Sequence, residues 1–125
     1  MIQKATELGI TKFMPIIFER TIVRKVNTER LKSNNLEFLF DDVFSVEEVG
    51  IYKPDPKVYD LPIKRYSIKK EEVLFLSSNT WDVSGGGNYG YNSIWINRND
   101  NIFDILDFTP KFEINNLSNL ISILK

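Results

Sequence analysis

The run Val73-Leu74-Phe75-Leu76 passes without a break into Ser77-Ser78-Asn79-Thr80-Trp81-Asp82. Consecutive apolar residues of this length suit a strand covered on both faces, as in a parallel sheet. Such a strand delivers two hydroxyls, an amide and a carboxylate into a single loop. Parallel neighbours require crossover connections, usually helical, and the flanking sequence supplies them. Asp55 stands where it caps a helix with Pro56 at its first position, and that helix is expected to run to about Tyr66. Residues 82–89 read as a second helix, with Asp82 placed to cap it and Gly85-Gly86-Gly87 weakening it. Residues 93–96 read as the next strand.

The remaining segments keep the same alternation. Residues 43–46 form an expected strand, 47–54 a loop, 113–114 at most a short strand, and 117–124 an amphipathic helix. Upstream, residues 1–8 read as a helix closed by Gly9, and 25–32 as a basic helix. Between them, 11–18 reads as a strand that Pro15 pushes toward an edge or a bulge. Strand and helix in alternation give an α/β fold with right-handed crossovers. Two local choices oppose it. Pro62 falls inside the 56–66 helix, where proline costs about 3 kcal/mol. Each of the three glycines costs roughly 1 kcal/mol relative to alanine. Both look like relaxed selection.

Composition narrows the chemistry. With 125 residues the chain has the size of one small domain. A net charge of −1 argues against binding a nucleic-acid backbone. There is no Cys and no His, which removes thiol and imidazole nucleophiles, disulfides, and zinc sites built on those ligands. No apolar stretch reaches the roughly 18 residues of a membrane span, and the first residues do not read as a signal peptide. A cytoplasmic location is expected.

Two resemblances divide the chain. The string QKATELGITKFMPIIFERT at 3–21, continued by Val26-Asn27-Thr28-Glu29-Arg30-Leu31-Lys32, resembles 16S ribosomal-RNA uridine methyltransferases of the trefoil-knotted (SPOUT) class. It covers about a quarter of the chain, and nothing here corresponds to the glycine-rich loops that hold S-adenosylmethionine in that family. From about residue 34 onward the chain resembles the carboxyl half of the 2-haloacid dehalogenases, within the haloacid dehalogenase-like (HAD-like) hydrolases. The carriers are Tyr52-Lys53-Pro54-Asp55-Pro56 and, twenty-four residues after Lys53, the segment 77–82. Residues 1–32 are therefore read as a methyltransferase-like fragment and 33–125 as half of a HAD-like domain.

That second resemblance implies a reaction. A carboxylate attacks the carbon bearing the halogen, and water hydrolyses the resulting ester. Lys53 would hold the nucleophile's charge and the substrate carboxylate. Ser77 and Asn79 would position carboxylates and water, and Asp82 would help to activate that water and pair with Lys53. Tyr59 matches a family tyrosine at the site, although its position also suits the core. Read alone, Lys53 is a solvated surface lysine, and Ser77 and Asn79 are turn formers. Phosphatases of the superfamily hold Mg²⁺ with carboxylates at this loop. Here Asp82 is the only acid among 77–82, so neither metal nor cofactor is expected.

The family nucleophile is an aspartate in an Asp-x-x-Gly-Thr type motif, and the sequence contains no such motif. Phe40-Asp41-Asp42-Val43 imitates it faintly but lies only about a dozen residues before Lys53, where the family has the Phe-Asp preceding its third strand. The expected architecture is an incomplete Rossmann-like parallel sheet, lacking the nucleophile strand and the cap domain. Two absent strands leave a gap of about 10 Å, unless the sheet closes up or the 11–18 strand fills part of it. The expected function is an inactive remnant of a (S)-2-haloacid dehalogenase in a chimeric reading frame. The alternatives are a non-catalytic interaction protein, which could self-associate, or a partner to a separately encoded amino-terminal half. A methyltransferase role ranks last.

Overall fold

Strand and helix alternate in the computed structural model, which describes residues 16–17, 35, 41–42 and 44–124. Strands β1 (Ile16–Ile17) and β2 (Phe44–Ser45) form a parallel pair, with Ile16 opposite Phe44. Helix α1 (Pro56–Tyr66) leads to β3 (Leu74–Ser77), and α2 (Thr80–Tyr89) connects β3 to β4 (Asn92–Ile96). After β5 (Phe112–Ile114), a 3₁₀ turn at Leu117–Asn119 runs into the single turn of α3 (Leu120–Ile123). β3, β4 and β5 lie side by side in that order, all parallel.

Local chemistry explains the boundaries. The Asp55 carboxylate accepts the Lys57 N–H at 2.9 Å with Pro56 in the first turn, so α1 begins as expected. The expected strand at 43–46 is cut short at Ser45. The Ser45 hydroxyl accepts the Glu47 N–H and the Glu48 carboxylate accepts the Ser45 N–H, both at 3.3 Å, so a capped 3₁₀ turn takes Val46 out of the strand. α2 starts two residues earlier than expected, and Asn79, not Asp82, occupies its cap position. Asp82 sits inside the first turn. The expected 117–124 helix is divided because the Asn116 side chain accepts the Ser118 N–H at 2.9 Å, which favours a tight turn before α3. The expected 1–8 and 25–32 helices, and nearly all of the segment 1–32, lie outside the described residues.

Both faces of the three-stranded sheet are covered. Leu74, Leu76, Ile94 and Ile96 face Ile114 and Leu120, while Phe75 faces Tyr59 and Tyr91. The glycines of α2 make that second packing possible. A β-carbon at Gly86 would stand 2.6 Å from the Phe75 ring and 3.1 Å from the Ser93 hydroxyl. One at Gly85 would stand 2.4 Å from the Tyr59 hydroxyl, and one at Gly87 2.1 Å from the Phe108 ring. Reading these glycines as relaxed selection was wrong, because they are contact surfaces. Pro62 does lie inside α1, and it is buried.

Among the described residues the sheet does not close over the expected gap. β1 pairs with β2, and among the described residues no strand pairing joins them to β3. The link is α1. Near its end, Phe44 meets the Tyr66 ring edge-on at 6.3 Å, and Asp42 accepts from Arg65 and from the Tyr66 hydroxyl, each at 2.8 Å. Near its start, Tyr59 packs edge-on against Phe75 at 5.7 Å.

Candidate functional site

Three elements converge at the carboxyl end of β3. Lys53 comes from the loop before α1, Tyr59 from the first turn of α1, and Asp82 from the first turn of α2. The Lys53 ammonium lies 2.9 Å from Asp82 Oδ1 and 3.1 Å from Oδ2. The Tyr59 hydroxyl donates to Oδ1 at 2.9 Å. The Lys53 and Asp82 side chains are only 2% and 5% exposed. Below the ammonium lie the Phe75 ring at 4.7 Å and the Tyr59 ring at 5.2 Å, whose negative faces attract a cation.

This environment changes the acidity of both partners of Asp82. Burial lowers the Lys53 pKa to about 8, although the attraction and hydrogen bond of Asp82 oppose it. Burial foremost, then the Asp82 charge, pushes the Tyr59 phenol above its ordinary range. Tyr59 therefore remains a donor at any physiological pH. A positive charge held in a dry place beside a strand-end loop can stabilise an anion arriving there.

Ser77 and Asn79 occupy that strand end. The Ser77 hydroxyl accepts the Asn79 N–H at 3.2 Å, and the Asn79 side chain is exposed at the α2 cap. The Ser78 carbonyl accepts the Trp95 indole N–H at 3.2 Å, which ties the loop to β4. Beside it an open depression of about 610 Å³ is lined by Ser78, Asn79, Trp81, Trp95 and Asp104, among others. Neither Lys53 nor Asp82 lines it.

Sequence reasoning missed three participants. Phe75 was read only as strand core, yet it floors the ammonium. Gly85 was read as a weakness, yet it leaves room for the Tyr59 hydroxyl. Tyr91 was not singled out, yet its hydroxyl donates to the Tyr59 backbone carbonyl. The run of glycines beginning three residues after Asp82 hinted at a close approach, but it does not say what packs there.

Comparison with known proteins gives consistent matches. The profile of the family described as haloacid dehalogenase-like hydrolase matches residues 16–96, so it extends over residues 16–32, which the sequence reading assigns to a methyltransferase-like fragment. A (S)-2-haloacid dehalogenase of Pseudomonas putida is 42% identical over 88 residues, covering 70% of this chain and 39% of that protein. (S)-2-haloacid dehalogenase 4A of Burkholderia cepacia is 39% identical over 95 residues, covering 75% and 41%. The crystal structure of a dehalogenase with an intermediate complex superposes with a TM-score of 0.87 at 30% identity, covering 98% of this chain and 52% of that one. The chain thus spans about two-fifths of the length of the curated relatives it matches.

Proposed function

The chain belongs to the haloacid dehalogenase-like hydrolases, and from that premise we propose that it carries the charge-holding half of a (S)-2-haloacid dehalogenase site. The reaction served by such a site is hydrolysis of a carbon–halogen bond in a short 2-haloacid. The observation that carries this reading is the buried Lys53 ammonium bound through both oxygens of Asp82. In the proposed site Lys53 holds the anionic groups of substrate and nucleophile. Asp82, steadied by Tyr59, orients Lys53 and takes part in activating water. Ser77 and Asn79 position the carboxylate and the water from the strand end. Asp82 is the only carboxylate of the 77–82 loop, which supports a metal-independent dehalogenase over a phosphatase.

The attacking carboxylate is not in this sequence, since no Asp-x-x-Gly-Thr motif occurs in it. We therefore expect no turnover from these 125 residues alone. Halide release from 2-chloropropionate, followed with an ion-selective electrode, should match the uncatalysed rate. Release above that rate which disappears in Lys53→Ala would show that another group serves as nucleophile.

A second reading is favoured by the edge of β3 that no strand joins among the described residues: the chain acts as an interaction module or as one half of a two-part site. The same reading divides the chain at residue 32, gives its first segment a methyltransferase-like origin and places the protein in the cytoplasm. Among the described residues no helix is long and apolar enough to cross a membrane.

A further inference from the structure

We propose that Tyr91 is a positioning residue of the Lys53–Asp82 site, acting by tying together the two helices that supply Tyr59 and Asp82. The inference rests on the reading of that site given above. Tyr91 stands just ahead of β4 and is bonded in two directions. Its backbone N–H donates to the Gly86 carbonyl of α2 at 3.0 Å. Its hydroxyl donates to the Tyr59 carbonyl of α1. One residue thus links the turn that carries Tyr59 to the helix that carries Asp82.

Pro62 has no N–H, so the Val58 carbonyl four residues earlier lacks its helical donor. The Tyr91 phenol adds a donor one residue on, at the Tyr59 carbonyl. It is buried, and burial foremost, with the neighbouring Tyr89 and Asp60, holds it protonated. Its ring packs edge-on to Tyr59 at 6.2 Å and tilted against Phe75 at 5.8 Å, so it cannot swing away without disturbing both.

The consequence reaches Lys53 through Asp82. Around the ammonium stand the Asp82 carboxylate from α2, the Tyr59 phenol from α1 and the Phe75 ring from β3. Around Tyr59 stand Asp82, Tyr91 and the stacked Tyr89 ring. While Tyr59 donates to Oδ1, it disperses part of the carboxylate charge that Lys53 would otherwise receive. Releasing Tyr59 concentrates that charge on Lys53 and makes its proton harder to remove.

The test is the titration of Lys53 in the whole chain, read from the ¹³Cε shift of labelled lysine and assigned with Lys53→Arg. Tyr59→Phe should raise the midpoint. Tyr91→Phe should raise it too, by about half a unit or less. The double variant should go no further than Tyr59→Phe alone, because Tyr91 acts through Tyr59. Tyr89→Phe, which removes a hydroxyl bonded to Asp60, should leave the midpoint in place. Should Tyr91→Phe not fold, 3-fluorotyrosine at position 91 keeps the hydroxyl, is a stronger donor, and should move the midpoint the opposite way. An unchanged midpoint in the Tyr91 variants, or shifts that add to that of Tyr59→Phe, would overturn the proposal. The readout needs no turnover, so a failed dehalogenase reading would not be mistaken for a failure here.

Discussion

At the scale of single residues, the Lys53–Asp82 pair is a poor stabiliser and a good site. Two desolvated charges regain little net energy from each other, and an apolar pair of similar volume is often neutral or 1–4 kcal/mol better, by order of magnitude about 2. Removing one partner is far worse, since it strands the other, at a cost of about 3–5 kcal/mol. Urea unfolding should therefore find Lys53→Met or Asp82→Leu alone strongly destabilised, and the two together close to the parent or above it. Proton linkage gives the pH dependence. Lys53 has a folded-state pKa near 8 against 10.5 unperturbed, so the unfolded chain binds more protons between those values. Stability from this group is lowest below pH 8 and rises from 8 to 10.5. The parent should gain on the double variant across that window. A double variant as damaged as either single one would mean that the pair holds the fold together.

At the scale of elements, α1 and α2 show what the sequence could and could not tell. Asp55 and Pro56 announced the start of α1, because a cap and a first-turn proline act locally. The apolar run at 73–76 announced β3, and Lys53 with Asp82 was legible only through the family resemblance that their two motifs carry. Tyr91 and the α2 glycines were not legible, because their meaning lies in what a second element brings against them. Their local cost in helix propensity is real, but the close packing of α2 on Phe75 and Tyr59 outweighs it. Opposite outcomes follow for two substitutions. Pro62→Ala restores an N–H to the helix and should raise stability by about 1–2 kcal/mol, the lost ring packing offsetting part of the gain. Gly86→Ala improves propensity yet forces a methyl into the Phe75 ring, and should cost about 1–3 kcal/mol. Thermal melts of both variants decide between packing and propensity. A stabilising Gly86→Ala would restore the reading of relaxed selection.

At the scale of the molecule, the described strands divide into a pair and a triplet held together through α1, and that arrangement sets how the isolated chain should behave. β3 is bonded to β4 along one edge, and among the described residues nothing pairs with the other. An open edge in an apolar strand presents unpaired N–H and C=O groups to any chain that can add a strand. Aliphatic exposure compounds this, since Ile102 and Ile105 in the loop after β4 stand 93% and 105% exposed. Apolar side chains exposed to this degree add to the surface available for association in water. The isolated 125-residue chain should thus self-associate at micromolar concentration and melt low or broadly. Sedimentation velocity over a hundredfold dilution measures the first, and calorimetry the second. Ile102→Ser together with Ile105→Ser should shift the distribution toward monomer only if the loop, not the edge, makes the contact. A sharp monomer at every concentration, with a cooperative transition above about 65 °C, would mean that β3 is covered within the chain itself. The second reading of its function would then lose the open edge on which it rests.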